Sequence, residues 1–151
     1  MNYYYDTSAL CRHYHTEPGS DKVDNLLKDA NARHVISRIG HIEVQSAFAL
    51  KVRTGEIAVG DFTLLRRRFR ADINHRALVV VRLLRRHFDE AEKLIQKHGL
   101  SARLRTLDAL HLAIALDLRS NGIVDTVVTA DKLLVSLGRA EGLTVIDPLE
   151  P

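Results

Sequence analysis

The stretch Leu104–Leu118, LRTLDALHLAIALDL, leaves this chain few folds to choose from. Leu107, Leu110, Ile114 and Leu118 recur at helical spacing and form one apolar stripe. Leu112, Ala113, Ala115 and Leu116 make much of the remaining circumference apolar as well. A helix that is apolar on most sides is packed on most sides, so this is expected to be a central buried helix. Thr106 is its expected N-cap, because the hydroxyl can accept a bond from an orphan N–H of the first turn. Asp108 falls in that first turn. A carboxylate there can do no more than complement the helix dipole, worth about 0.3–1 kcal/mol, or it can face a cleft at the mouth of the helix. The rest of the chain decides between the two.

Short β-prone runs alternate with helical patterns on both sides of this stretch. Strands are expected at Asn2–Tyr5, His34–Ser37, Ala77–Val81, Val124–Thr129 and Leu143–Ile146. Helices are expected over Ala9–His15 with Thr7 or Ser8 as cap, over Asp21–Ala30, and from a Ser37 cap to about Thr54, where Gly55 stops the run. Further helices are expected over Ala58–Asn74, Phe88–His98 and Asp131–Ala140. In the Ala58–Asn74 helix, Phe62, Leu65, Phe69 and Ile73 make the inward stripe and the intervening arginines point to solvent. Strands alternating with helices argue for an α/β domain around a mainly parallel sheet. At 151 residues, the chain is expected to form a single domain, 1–151, with one sizeable core.

Composition excludes several classes. Apolar content of 46% and charged content of 27% are ordinary for a globular protein, not a disordered or fibrous one. No apolar run approaches the roughly 20 residues that cross a bilayer, and MNYYYDTSAL lacks the basic and apolar regions of a signal peptide. An intracellular, cytoplasmic protein without membrane contact is therefore the expectation. Cys11 is the only cysteine, which excludes an intrachain disulfide and a Cys-based metal site, and it reads as a small apolar filler on the first helix. The net charge is only +3, but the arginines cluster at Arg66, Arg67, Arg68 and Arg70, at Arg82, Arg85 and Arg86, and at Arg103 and Arg105. Such clusters form either a solvated face or a groove for nucleic acid.

In parallel α/β sheets, ligands bind beyond the carboxyl ends of the strands. That rule selects Asp6, which closes the first strand, and Asp131, just past the Val124–Thr129 strand. Glu43 is placed on an arc with Ile39, Ile42, Ser46, Ala47, Ala49 and Leu50, and so on an apolar face of its helix. A charged carboxylate is almost never fully buried unpaired, so Glu43 requires a cation such as Arg38, a hydrogen-bond network or a wet pocket. Together with Asp108, these acids are consistent with one cleft edge. Clustered carboxylates repel, so such a pocket persists when something cationic fills it. Hard oxygen donors without cysteine suit Mg²⁺ or Mn²⁺ better than Zn²⁺.

Four motifs carry a resemblance: YYYDTSAL with Asp6, HIEVQSAF with Glu43, LRTLDALHLAIAL with Asp108, and VVTADKLL with Asp131. On these, and on the closing GLTVIDP, the chain resembles PIN-domain ribonucleases, particularly the VapC-type toxins of type II toxin–antitoxin systems. The resemblance implies a three-layer α/β/α sandwich. It also implies that Asp6, Glu43, Asp108 and Asp131 hold Mg²⁺ or Mn²⁺ and cleave an RNA phosphodiester. A cognate antitoxin and a homodimer are its implied partners. Thr7 or Thr129 is expected to support a carboxylate, and His111, one turn after Asp108, to make a structural hydrogen bond. The triple tyrosine before Asp6 departs from the more aliphatic strand of such proteins. The region between Gly55 and Arg103 carries no motif of the family.

Two other functions would also use acids at strand ends, and a third alternative would not use them. A haloacid-dehalogenase-like phosphatase needs a second Asp two residues after Asp6, where Ser8 stands. A receiver-type signalling module needs a lysine at a late strand end, and LTVIDP offers none. A noncatalytic PIN-like protein- or RNA-binding module is the remaining alternative, and the presence of all four acids counts against it.

Overall fold

The computed structural model describes residues 1–151. In chain order its elements are β1 (Tyr3–Tyr5), α1 (Thr7–Tyr14), α2 (Ser20–Leu27), β2 (His34–Ser37), α3 (Arg38–Arg53), α4 (Val59–Asn74), β3 (Val79–Val81), α5 (Arg85–His98), α6 (Thr106–Ser120), β4 (Thr126–Val128), α7 (Lys132–Ala140) and β5 (Val145–Ile146). The strands form one sheet in the order β3-β2-β1-β4-β5, and every pairing is parallel.

This order has a functional consequence. The chain winds outward from β1 to β2 and β3, then returns to the other side of β1 for β4 and β5. The direction of winding therefore reverses between β1 and β4, which pair from Tyr3 opposite Thr126 to Tyr5 opposite Val128. Beyond the carboxyl ends of those two strands lies the crevice where open parallel sheets bind ligands.

Side chains alternate across a strand, and β1 divides its tyrosines accordingly. Tyr3 and Tyr5 pack with Leu10, Val23, Val44, Phe48 and Phe69 under α1–α4. Tyr4 packs with Leu94, Leu110, Ile114 and Leu134 under α5–α7. The two cores on opposite faces give the three-layer α/β/α sandwich. The aromatic strand packs because its phenols find partners, as buried tyrosines generally must: Tyr4 Oη meets His111 Nδ1 at 2.7 Å and Tyr5 Oη meets His34 Nδ1 at 3.0 Å.

α6 is the central helix, with an unbroken buried run from Ala109 to Ala115. Two details differ from expectation. Arg105, not Thr106, holds the extended N-cap conformation, at φ −89° and ψ 167°. Leu107 is 46% exposed, because the buried run of α6 begins only at Ala109, after its first turn. α1 also starts earlier than expected: Asp6 is its cap, accepting from Ala9 N at 2.9 Å, so Thr7 and Ser8 lie inside the helix. The stripe of α4 is shallower than its spacing suggests, with only Phe69 fully buried. Cys11 is buried in the α1 core, where burial pushes its thiol up to about 12. No helix is long and apolar enough to cross a membrane.

Candidate active site

Asp6 stands at the carboxyl end of β1 and is 4% exposed. Ser8 Oγ donates to both of its carboxylate oxygens, at 2.8 and 2.9 Å. Thr129 Oγ1, directly after β4, donates to Oδ2 at 2.7 Å. Ser8 Oγ in turn accepts from Ala130 N at 2.9 Å, and Thr129 Oγ1 accepts from Asp131 N at 3.1 Å. One hydroxyl-lined network thus joins the ends of β1 and β4 across the point where the winding reverses. Burial drives the Asp6 carboxyl above its ordinary value, against the opposing pull of the nearby His111 and of the Thr129, Ala9 and Ser8 hydrogen bonds.

Glu43 lies in the second turn of α3. The arc expected for it is rotated: Ile42 and Leu50 are 61% and 49% exposed, and the buried face is Gly40, Val44, Phe48 and Lys51. α3 carries small and apolar residues around most of its circumference, so its periodicity does not single out the inner face. Glu43 sits at the border, half-buried, and its partner is His111 rather than Arg38. Thr7 Oγ1 also donates to it, at 3.1 Å. Burial alone would raise the Glu43 carboxyl, but the hydrogen bond and charge of His111, with Thr7, hold it below the usual range. For His111, burial opposes protonation, while Glu43, Asp6 and Asp108 together raise its pKa above 6.5. Nδ1 of the same ring rests on Tyr4, so His111 ties α6 to both α3 and β1.

The pH dependence of this pair follows from the two shifts. The raised pKa of His111 contributes stability that is full below 6.5 and is lost as pH rises through the folded value. The depressed pKa of Glu43 contributes stability that is present above 4.5 and is lost as pH falls through its folded value. His111→Gln should therefore destabilise the protein by about 1–3 kcal/mol, the cost of unpairing buried polar groups. Urea melts from pH 4 to pH 9 should show the deficit largest between about 4.5 and 6.5 and shrinking on either side. A deficit independent of pH would contradict the ion pair.

Asp131 is the N-cap of α7, its Oδ1 accepting from Leu133 N at 2.8 Å and Leu134 N at 3.2 Å. Asp108, at the third position of α6, accepts from Arg105 N at 3.2 Å and is half-buried. Both therefore also serve the helix termini. The four acids occupy the same sheet edge, but each is engaged by protein donors, and as placed no three Asp, Glu, His or Cys side chains share one coordination sphere. Sequence reasoning missed Ser8 as a partner of Asp6, and Tyr4 as a partner of His111. Tyr4 had a signal: positions 4 and 6 are two apart on a strand and face the same layer.

Residues 3–140 match the PIN domain family. The chain belongs to the PIN-domain family. Several solved structures share its fold. VapC20 of Mycobacterium tuberculosis, a sarcin–ricin-loop-cleaving toxin, is 14% identical over 90% of this chain and 95% of its own, with a TM-score of 0.65. PAE2754 of Pyrobaculum aerophilum is 19% identical over 99% and 86%, also at 0.65. A toxin–antitoxin complex from Klebsiella pneumoniae is 17% identical over 98% of both chains, at 0.64. No curated protein sequence matches the chain. At these identities the likeness establishes the fold of this PIN domain, and its chemistry must be argued from its own residues.

The donor set of the PIN domain fits a hard divalent cation. It consists of carboxylate oxygens with hydroxyl support and offers no thiolate. Asp6 is a buried carboxylate whose charged form burial disfavours despite the nearby His111, and a bound cation would offset that cost.

Proposed function

We propose that this PIN domain is a Mg²⁺- or Mn²⁺-dependent endoribonuclease and the toxin of a type II toxin–antitoxin pair. The observation that carries the reading is the buried Asp6 network at the β1–β4 switch point, with Glu43, Asp108 and Asp131 around it on the same edge. Under this reading the four acids are the catalytic and metal-holding residues. Held by Asp6, Glu43, Asp108 and Asp131, a divalent ion would supply the acidity to activate a water and the positive charge to offset that building on the phosphorus oxygens. Hydrolysis then forms a bond from water oxygen to phosphorus and breaks the bond to the 3′ oxygen, which takes a proton, leaving a 5′-phosphate and a 3′-hydroxyl.

This chain's residues orient the parts. Ser8 and Thr129 fix the plane of the Asp6 carboxylate, and Thr7 with His111 fixes Glu43. Preorganisation of this kind removes reorganisation cost at the moment of reaction. His111 acts through Glu43 and Tyr4 and is a positioning residue. The likeness to VapC20, a sarcin–ricin-loop-cleaving toxin, supports RNA as substrate, and the likeness to the Klebsiella pneumoniae toxin–antitoxin complex supports an antitoxin as partner. An antitoxin Arg or Lys laid into the acidic crevice would inhibit by replacing the metal, and a homodimer is the expected assembly.

Incubation of purified protein with a pool of structured RNAs tests the function. Cleavage should appear with Mg²⁺ or Mn²⁺, stop with chelator, and leave 5′-phosphates. Tight RNA or protein binding with no cleavage under any divalent metal would instead favour a noncatalytic module.

A further inference from the structure

The arginine clusters of this chain are not equivalent. Arg86 is gripped by Asp117, Nε to Oδ1 at 2.7 Å and Nη2 to Oδ2 at 3.0 Å, and its cleft of about 360 Å³ also exposes Glu90 and Glu141. Arg68 lies over the Tyr14 ring in a cleft shared with Asp24 and Asp72. Both clefts carry their own negative charge and have little to offer an anion.

A third cleft, of about 170 Å³ between α3 and α4, is lined by His41, Gln45, Arg66, Phe69 and Arg70 and by no carboxylate. Phe69 is its aromatic floor, with the His41 ring 5.5 Å away. Arg66 Nε donates to Gln45 Oε1 at 3.1 Å, and its guanidinium lies 5.5 Å over the Phe62 ring. Arg38 Nη1 donates to His41 Nδ1 at 2.8 Å, which leaves the Nε2 proton of that imidazole without a protein partner. None of Arg38, Arg66 and Arg70 forms an ion pair with any Asp or Glu. Three guanidiniums beside one cleft without a counter-charge form a site for an anion that the protein does not itself provide.

We propose that the Arg66–Arg70–His41 cleft is a phosphate-binding site that grips the RNA backbone beside the scissile bond. The proposal rests on the nuclease reading and assigns one arginine cluster to it. α3 carries both sites: His41 faces the cleft and Glu43, two residues on, faces the acidic edge. The two positions differ by about 3 Å along the helix axis, so the sites are separated by roughly a helix diameter, 10–12 Å. A short stretch of single-stranded backbone spans that distance. The planar fork of arginine binds phosphate oxygens in pairs.

The test measures binding of a fluorescein-labelled 12-nucleotide single-stranded RNA by anisotropy, from 50 to 200 mM KCl, in the Asp6→Asn background. Arg66→Gln/Arg70→Gln should weaken binding about tenfold at the lowest salt. It should also reduce the slope of log affinity against log salt by about 1.4, near 0.7 for each single-strand phosphate that is no longer neutralised. Arg66→Lys/Arg70→Lys, which keeps the charges, should restore most of the slope. The control Arg82→Gln/Arg85→Gln should leave it unchanged. Equal slopes for the Arg66/Arg70 and Arg82/Arg85 glutamine variants would overturn the proposal. So would a loss of binding only to an acidic protein partner, with RNA affinity intact. Wild-type protein that cuts RNA while the slopes stay equal refutes the cleft alone, whereas failure of wild-type cleavage refutes the nuclease reading.

Discussion

Asp6→Asn should lower RNA cleavage at least about 100-fold, the scale of losing one preorganised electrostatic contribution, while the protein stays folded. The structure explains why these outcomes separate. Asn caps a helix about as well as Asp, so its oxygen can keep the bond from Ala9 N that starts α1. Its amide can donate to Thr129 Oγ1, which already accepts from Asp131 N and has a second lone pair. The geometry is kept and the negative charge is lost. Cleavage by initial rate under saturating Mn²⁺, together with a circular dichroism spectrum, checks the expectation. Undiminished cleavage by folded Asp6→Asn protein would remove Asp6 from the chemistry.

The same carboxylate should cost the metal-free fold stability. Burial raises its pKa above the ordinary 3.8. The folded state thus binds the proton more tightly, and this contribution is full below 3.8 and lost as pH rises through the folded value. Above that value the ionised Asp6 weighs against folding, so metal-free Asp6→Asn protein should there melt at or above the wild type. A cation bound in the crevice reverses the balance. At a hundred times its dissociation constant it adds about 2.7 kcal/mol, which for a domain of this size is roughly 5–10 °C in melting temperature. Asp108 is a weaker probe of the same effect, because it is half-buried and its removal also takes the acceptor from Arg105 N.

Much of this was legible in the chain because it depends on local rules. A β-prone run that ends in Asp6, and another that ends in Thr129 two residues before Asp131, place both acids at strand ends whatever the tertiary detail. α6 announces its burial through apolar residues on nearly every side. What failed depends on contacts distant in sequence. Glu43 and His111 are separated by 68 residues and Tyr4 and His111 by 107, so their pairing follows from which elements cross at the sheet edge and not from spacing. α3 misled because Ile42 and Leu50 are apolar yet solvent-facing, and periodicity cannot choose between two apolar faces of one helix. The arginines of α4 read correctly as exposed, but only the positions of Asp117, Asp24 and Asp72 distinguish the Arg86 and Arg68 clefts, which carry carboxylates, from the Arg66–Arg70 cleft, which has none.

The claim that Asp6, Glu43, Asp108 and Asp131 form one cation site is tested most directly by thermal melts of the wild type and of Asp6→Asn, Glu43→Gln, Asp108→Asn and Asp131→Asn. Each is measured with chelator and with excess Mn²⁺. Mn²⁺ should raise the wild-type melting temperature by several degrees and shift every variant much less. An equal Mn²⁺ shift in the wild type and all four variants, or no shift in any of them, would contradict the site.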